Sequence, residues 1–216
     1  MIHRTLFGSN MATTRERRAE RTRKAILDAA ADIISERGPY NLSLREVARR
    51  IDYSPAGLYE YFGGKDEIIA AVVEEGFGRF ATYLGSVSAD LPARDYLLEL
   101  GMSYIQFAVE NPQHFMLIFN TMNVHQSQHD AEYISEGTFG LLLTGIQRAV
   151  DEGEFDGSLD VTGTAFGAWS LVHGMATLRL THVDGDAYDL DGAAELNLRA
   201  WQNGLLAQPS ANSNVE

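Results

Sequence analysis

Between Ser43 and Lys65 the chain reads SLREVARRIDYSPAGLYEYFGGK, two short helices and a tight turn in one compact unit, the layout of a helix-turn-helix. Leu58, Tyr59 and Phe62 can anchor the second helix, which leaves Pro55, Ala56, Gly57 and Tyr61 on its outer face. A face that small lets a helix sit deep in a major groove, where base edges are read. Other candidate chemistries are weaker. His125 and His129 at i and i+4, with Asp130 nearby, could hold a metal if helical, but they lie in the polar run NVHQSQHDAE, which reads first as a solvated connection. Asp184, Asp186 and Glu195 match positions 1, 3 and 12 of a calcium loop, yet position 6, which needs glycine for its sharp turn, is Asp189, and position 5 is Tyr188. With no cysteine, thiolate metal sites and cysteine nucleophiles are excluded. Neither a phosphate-cradling glycine loop nor a hydrolase nucleophile elbow is present. No metal, no cofactor and no catalysis are expected.

The elements that would position the 43–65 stretch are legible. Ser43 followed by Glu46 predicts a capping box, and Leu44, Val47, Ala48 and Ile51 fall at i, i+3, i+4 and i+7, one buried helical face. Asp52-Tyr53 interrupts the helix. Ser54-Pro55 restarts it, with an oxygen-bearing N-cap and a proline in the first turn, where no amide is missed. Upstream, Ile26, Leu27, Ala30, Ile33 and Ile34 repeat at helical spacing from about Arg15 to Arg37, and Gly38-Pro39 stops that helix. Its first turns carry Arg15, Arg17, Arg18, Arg21 and Arg23, read equally as a solvated helix start or as a phosphate-facing patch diluted by Glu16 and Glu20.

This stretch resembles the tetracycline-repressor (TetR) family of bacterial transcriptional regulators in its long preceding helix, its turn, its Leu58-Tyr59-x-Tyr61-Phe62 segment and its Lys65. Two positions depart from the family: the usual glycine of the turn is Asp52, which accepts a left-handed backbone less readily than glycine, and the small aliphatic after it is Tyr53. The resemblance implies that Ser43, Arg45, Tyr59, Tyr61 and Lys65 hold phosphates. It places Ser54, Pro55, Ala56 and Gly57 near base edges, with Arg45 a bidentate reader of guanine.

Charge is divided along the chain. The net charge of the 216 residues is −13, which on its face argues against a nucleic-acid partner. Residues 1–65, however, hold 12 Lys and Arg against 8 Asp and Glu, a balance of +4, and the rest hold 5 against 22, a balance of −17. A small phosphate-facing module on an acidic body is the reading. The N-terminal residues lack the apolar core of a signal peptide. Val161 to Leu178 is free of formal charge, but Thr162, Thr164, Ser170, His173, Thr177 and its glycines read as a helix buried between protein surfaces rather than a membrane span.

Downstream of Lys65 the pattern stays helical: an inner side of Ile68, Ile69, Val72, Val73, Phe77 and Phe80, then roughly Asp95 to Glu110, Pro112 to Met122, Asp130 to Glu152, Val161 to His182 and Gly192 to Leu206. No alternating run suits a sheet. Around Phe166 the chain reads FGAWSLVHGMATLRL, and Trp169, His173 and Gly174 are similar to the Trp-His-Gly (WHG) signature of one C-terminal TetR subclass, as is the segment from Asn111 to Phe119. In that family the body binds a small effector and forms the dimer. The helix from Val161 is apolar almost all round, so it must be covered on two sides, and Leu198, Trp201 and Leu205 give a second stripe, so that two helices from each subunit could make a dimer interface. Tyr104, Phe107, Phe115, Met116, Phe119, Trp169, His173 and Met175 are candidates to line an effector pocket, or are simply core. Such a pocket favours a flat or largely apolar ligand.

The expected fold is all-α: a flexible arm over 1–14, a three-helix DNA-binding domain over 15–64, a helical effector-binding and dimerisation domain over 65–207 and a disordered tail over 208–216. The expected function is a cytoplasmic, homodimeric transcriptional regulator, a repressor released from a palindromic double-stranded operator by a small effector, with no membrane partner. The rivals are a metal-dependent helical enzyme and a helical adaptor that has lost DNA binding.

Overall fold

The computed structural model describes residues 13–121, 137–182 and 188–206. The chain divides into two compact units whose boundary lies between Val72 and Val73, inside one helix.

The first unit opens with α1 (Thr14–Arg37). Thr13 and Glu16 cap it reciprocally: the Glu16 amide donates to Thr13 Oγ1 at 3.2 Å and the Thr13 amide to Glu16 Oε2 at 2.6 Å, so two of the four orphan amides of the first turn are satisfied. Ile26, Ala30, Ile33 and Ile34 are buried on one side of α1, while Leu27 is half-buried. Gly38, at φ 77°, turns the chain out of the helix. A single 3-10 turn (Pro39–Asn41) then leads to α2 (Leu44–Arg50).

The expected capping box at Ser43 is absent. Ser43 has extended backbone but its side chain caps nothing; Glu46 instead accepts from Arg49 at 3.0 and 2.7 Å and from Arg50 at 3.5 Å. Two guanidiniums outcompete one amide for the carboxylate, and they hold Glu46 well below the usual carboxylate range, at about 2, Arg49 contributing most. Arg50 also reaches Glu36 on α1.

α2 ends in a Schellman motif. The Tyr53 amide donates to the Ala48 carbonyl at 2.8 Å and the Asp52 amide to the Arg49 carbonyl at 3.5 Å, the 6→1 and 5→2 pair that requires a left-handed residue between them. Asp52 takes that position at φ 52°, alone among the described non-glycine residues. α3 (Pro55–Leu58) follows, shorter than expected: Ser54 accepts from the Gly57 amide at 3.0 Å, and the chain leaves the helix through a turn at Tyr59–Tyr61. Leu58 and Phe62 are buried beside Val47, Ala48 and Ile68, each contributing on the order of 2 kcal/mol. Tyr59 is not an anchor, being 61% exposed; Leu44 and Ile51 are half-buried.

α4 (Lys65–Gly85) crosses the boundary between the units. The second unit is arranged around α5 (Ala93–Glu110), which packs on α6 (Pro112–Thr121), α7 (Phe139–Asp151), α8 (Val161–Thr181) and α9 (Leu190–Asn203). Because neighbours surround it, α5 is buried on most sides, through Tyr96, Leu97, Leu98, Leu100, Tyr104, Ile105, Phe107 and Ala108. Asp160 and Asp189 cap α8 and α9, accepting from the amides of Thr162 at 3.1 Å and Gly192 at 2.9 Å. Asp189, the residue in the glycine position of the calcium pattern, is thus a helix cap. The acidic stretch after α7 is a loop, tied at its middle where the Asp156 amide donates to the Leu205 carbonyl at 2.9 Å.

Of the two packing expectations, the one for α9 changes here. α8 is covered within the chain on one stripe, Ala165, Ala168, Val172 and Ala176, while Phe166 stays 61% and Leu178 52% exposed. Leu198, Trp201 and Leu205, expected as a stripe for a second subunit, face inward: Leu198 is buried against Gly101, Trp201 meets Phe155 edge-on at 6.4 Å, and Leu205 packs on the same cluster. On α9 the large apolar side chain left outside is Leu196, 69% exposed.

Among the described residues no helix is long and apolar enough to cross a membrane, and no group of three His, Cys, Asp or Glu side chains is placed to hold a metal ion. His125, His129, Asp130, Asp184 and Asp186, most of the 1–14 arm and the 208–216 tail lie outside the described residues.

Candidate functional site

The helix-turn-helix presents a continuous set of exposed positions. Ser43, Arg45, Ser54, Pro55, Ala56 and Tyr59 are exposed; Gly57, Tyr61 and Lys65 are half-buried. Leu58 and Phe62 are buried on the opposite side of this segment. Among the described residues Arg45 forms no ion pair, whereas Arg49 and Arg50 of the same helix are held by carboxylates. Lys65 donates from Nζ to the Tyr40 carbonyl at 2.6 Å. That bond orients the ammonium and leaves two of its three N–H groups.

Three residues near this surface take parts that the sequence did not assign to them. Arg23, from the arginine-rich part of α1, donates from Nη1 to the Tyr61 carbonyl at 3.2 Å and lays its guanidinium 4.2 Å from the centre of the Phe62 ring. It therefore braces the α3 turn from behind. Tyr40, 72% exposed, lends its carbonyl to Lys65. Tyr53, 37% exposed, meets the Tyr61 ring edge-on at 6.2 Å. Hydrogen bonding to Tyr61 holds the Tyr53 hydroxyl pKa above its ordinary value. The sequence signal for Tyr53 was its departure from the family pattern; nothing in periodicity pointed to Tyr40 or to the pairing of Arg23.

The second candidate lies inside the second unit. An apolar cavity of about 70 Å³ is walled by α4, α5, α7, α8 and α9 side chains, among them Phe80, Leu100, Tyr104, Phe139, Trp169 and Trp201. Gly101 is part of the wall because α5 and α9 approach closely there: a Cβ on it would stand 2.8 Å from Leu198 Cδ1. Of the eight expected pocket residues, Tyr104, Phe119 and Trp169 line this cavity. Phe107 and Phe115 do not; they are fully buried core, tilted or edge-on against Phe80 and Tyr104 at 5.0 and 5.9 Å. Met116 and Met175 pack on the outside of the same cluster. His173 sits one hydrogen bond behind the wall. The lining from α4, α7 and α9 was missed because aromatic and leucine positions in amphipathic helices look alike whether they face a void or a neighbour.

The polar feature of this interior is a chain of three side chains. Trp169 Nε1 donates to the Tyr104 hydroxyl at 3.3 Å, and that hydroxyl is 2.8 Å from His173 Nδ1. An indole N–H can only donate, so the Tyr104 oxygen accepts from Trp169 and shares a second hydrogen bond with His173 Nδ1, whose direction is set by the His173 tautomer. Burial acts the same way on both groups: it pushes the Tyr104 hydroxyl pKa up, against the Trp169 hydrogen bond, and pushes His173 down. Each is held in its uncharged form.

Comparison with known proteins matches both units. Residues 26–72 fit the family model described as bacterial regulatory proteins, tetR family, and residues 97–201 the model of a tetracyclin repressor-like C-terminal domain. An HTH-type transcriptional regulator of Bacillus subtilis, YobS, is 23% identical over 185 residues, covering 86% of this chain and 93% of that protein. The HTH-type transcriptional repressor NicS of Pseudomonas putida is 28% identical over 116 residues, 53% of this chain and 54% of NicS. Among solved structures, a bacterial regulatory protein in the tetR family from Rhodococcus RHA1 superposes with a TM-score of 0.74 at 19% identity, over 87% of this chain and 98% of that one.

Proposed function

From the premise that the chain belongs to the tetR family of bacterial regulatory proteins, and so is a DNA-binding transcriptional regulator and not an enzyme, we propose that it is a cytoplasmic homodimeric repressor released from a palindromic operator by a small, largely apolar effector. The observation that carries the effector part is the interior cavity, whose wall is mostly aromatic and aliphatic, with the hydroxyls of Tyr104 and Thr138 and the indoles of Trp169 and Trp201 as its polar side chains. At about 70 Å³ it is far smaller than the roughly 300–1,000 Å³ of sites that enclose drug-sized ligands. An effector must therefore displace side chains on entry, and that displacement is what would favour a dimer with mis-spaced recognition helices.

Ser43, Arg45, Tyr59, Tyr61 and Lys65 would contact phosphates, and Ser54, Pro55, Ala56 and Gly57 base edges. Their exposure on one short segment supports this. Phe166, Leu178 and Leu196, apolar and uncovered on α8 and α9, suit the partner subunit. Repression is favoured over activation by the repressor NicS among the relatives. The test is selection of bound fragments from the source genome, followed by operator affinity with and without apolar compounds that the neighbouring genes suggest. A compound that weakens operator binding in the wild type and not in a Trp169→Ala chain of unchanged operator affinity supports the reading. Equal release of both chains contradicts the assigned pocket.

A further inference from the structure

The outer side chains of α3 are small: Pro55, Ala56 and Gly57 offer a groove little to read with. The large side chain that abuts them is Tyr53. Gly57 lies directly under its ring, since a Cβ there would stand 2.6 Å from Tyr53 Cε1 and 3.2 Å from Cδ1, as well as 2.9 Å from Ser54 Oγ. The ring thus occupies the space that a side chain at position 57 would fill.

It is also held at two points. Its backbone amide is held by the Ala48 carbonyl at 2.8 Å; its ring edge meets Tyr61 at 6.2 Å; and Tyr61 is itself braced by Arg23 through its carbonyl at 3.2 Å. At 37% exposure, the residue offers its aromatic ring outward beside the small side chains of α3. Apolar carbon tells bases apart in a major groove by one feature, the C5 methyl of thymine.

We infer that Tyr53, laid over Gly57, is a specificity-determining residue that reads a thymine methyl in each operator half-site. This rests on the DNA-binding reading above. It also accounts for two features of the segment together: a bulky residue immediately after the turn and a glycine inside the short helix, each requiring the other.

The experiment selects operators from random duplex DNA with the full-length wild type, Tyr53→Phe and Tyr53→Val, and then replaces each thymine of the wild-type operator by uracil, which removes only the methyl. Uracil at the contacted position of one half-site should weaken wild-type binding about fourfold, the worth of one buried methyl group, and should leave Tyr53→Val unaffected. Tyr53→Val should lose the preference for thymine there, and Tyr53→Phe should keep it. Gly57→Ala should weaken binding in the wild type and be tolerated beside Tyr53→Val. Thermal unfolding midpoints within a few degrees of wild type show that each chain is folded. If the wild type selects a motif that Tyr53→Val selects unchanged, or if uracil costs nothing at every position, this inference falls and the DNA-binding reading stands. A wild type that selects no sequence overturns both.

Discussion

Tyr59 in the first unit is 61% exposed, and Tyr104 in the second is 5% exposed. The same side chain serves opposite ends: a hydroxyl kept in water, and a hydroxyl removed from water and satisfied by Trp169 and His173. The contrast extends to the surroundings. The helix-turn-helix keeps Tyr40, Tyr53 and Tyr59 outside, over a core of Leu58 and Phe62, while the second unit encloses Phe80, Tyr104, Phe107 and Phe115 in one interlocked cluster. The candidate site of the first unit is legible as exposure, and that of the second as imperfect packing of an interior.

Substitutions can break or sharpen this contrast. The largest effect is expected for Phe107→Ala, which empties a fully buried ring site and should cost about 3–5 kcal/mol, read as a large fall in unfolding midpoint. Tyr59→Ala, by contrast, should leave stability within about 0.5 kcal/mol and weaken operator binding on the order of a hundredfold, about the worth of one charge-assisted hydrogen bond to phosphate from each subunit of the dimer. Equal losses of stability in the two variants would erase the distinction.

A smaller effect is expected at Asp52. The Schellman position holds it at φ 52°, a strain that glycine lacks, so Asp52→Gly should stabilise the chain by about 0.5–1 kcal/mol without changing operator preference. Denaturant unfolding decides it, and destabilisation would mean that the carboxylate has another task.

The smallest effect is pH-dependent. His173 has a folded pKa below its ordinary value because it is buried, so between the unfolded value of about 6.5 and the folded value the unfolded chain binds the proton and the folded chain does not. Stability contributed by keeping His173 neutral is present above about pH 6.5 and declines as pH falls toward the folded value. Glu46 behaves the same way lower down: its stabilisation is present above about 4.5 and is lost as pH falls toward about 2. Mild acid should thus weaken the second unit before the helix-turn-helix. Unfolding midpoints from pH 8 to 5 for wild type and His173→Gln check this, with a flatter profile expected for the variant.

Much of the fold was written in helical periodicity and in stop signals such as Gly38-Pro39, and Ser54-Pro55 marked the start of α3 correctly. What failed was the choice among partners for one group. Ser43 and Glu46 have the spacing of a capping box, but the arginines at 49 and 50 compete for the same carboxylate, and no pattern within the box reveals that. The reciprocal cap formed instead at Thr13 and Glu16, ahead of the first apolar residue, where periodicity gives no cue. Leu198, Trp201 and Leu205 form a stripe that suits a second subunit or the chain's own core equally well; only the close approach at Gly101 settles that they face inward. The Tyr104 to His173 bond joins residues distant in sequence, and so was out of reach of any local reading.

The central claim is that this chain holds DNA by the exposed face of its helix-turn-helix, and the salt dependence of operator affinity tests it most directly. A plot of log affinity against log salt for the selected operator should fall steeply in the wild type, and should be shallower by about two for Lys65→Ala, one phosphate contact from each subunit of a dimer. A slope unchanged by Lys65→Ala would remove that residue from the phosphate set, and a wild-type affinity indifferent to salt would contradict the account.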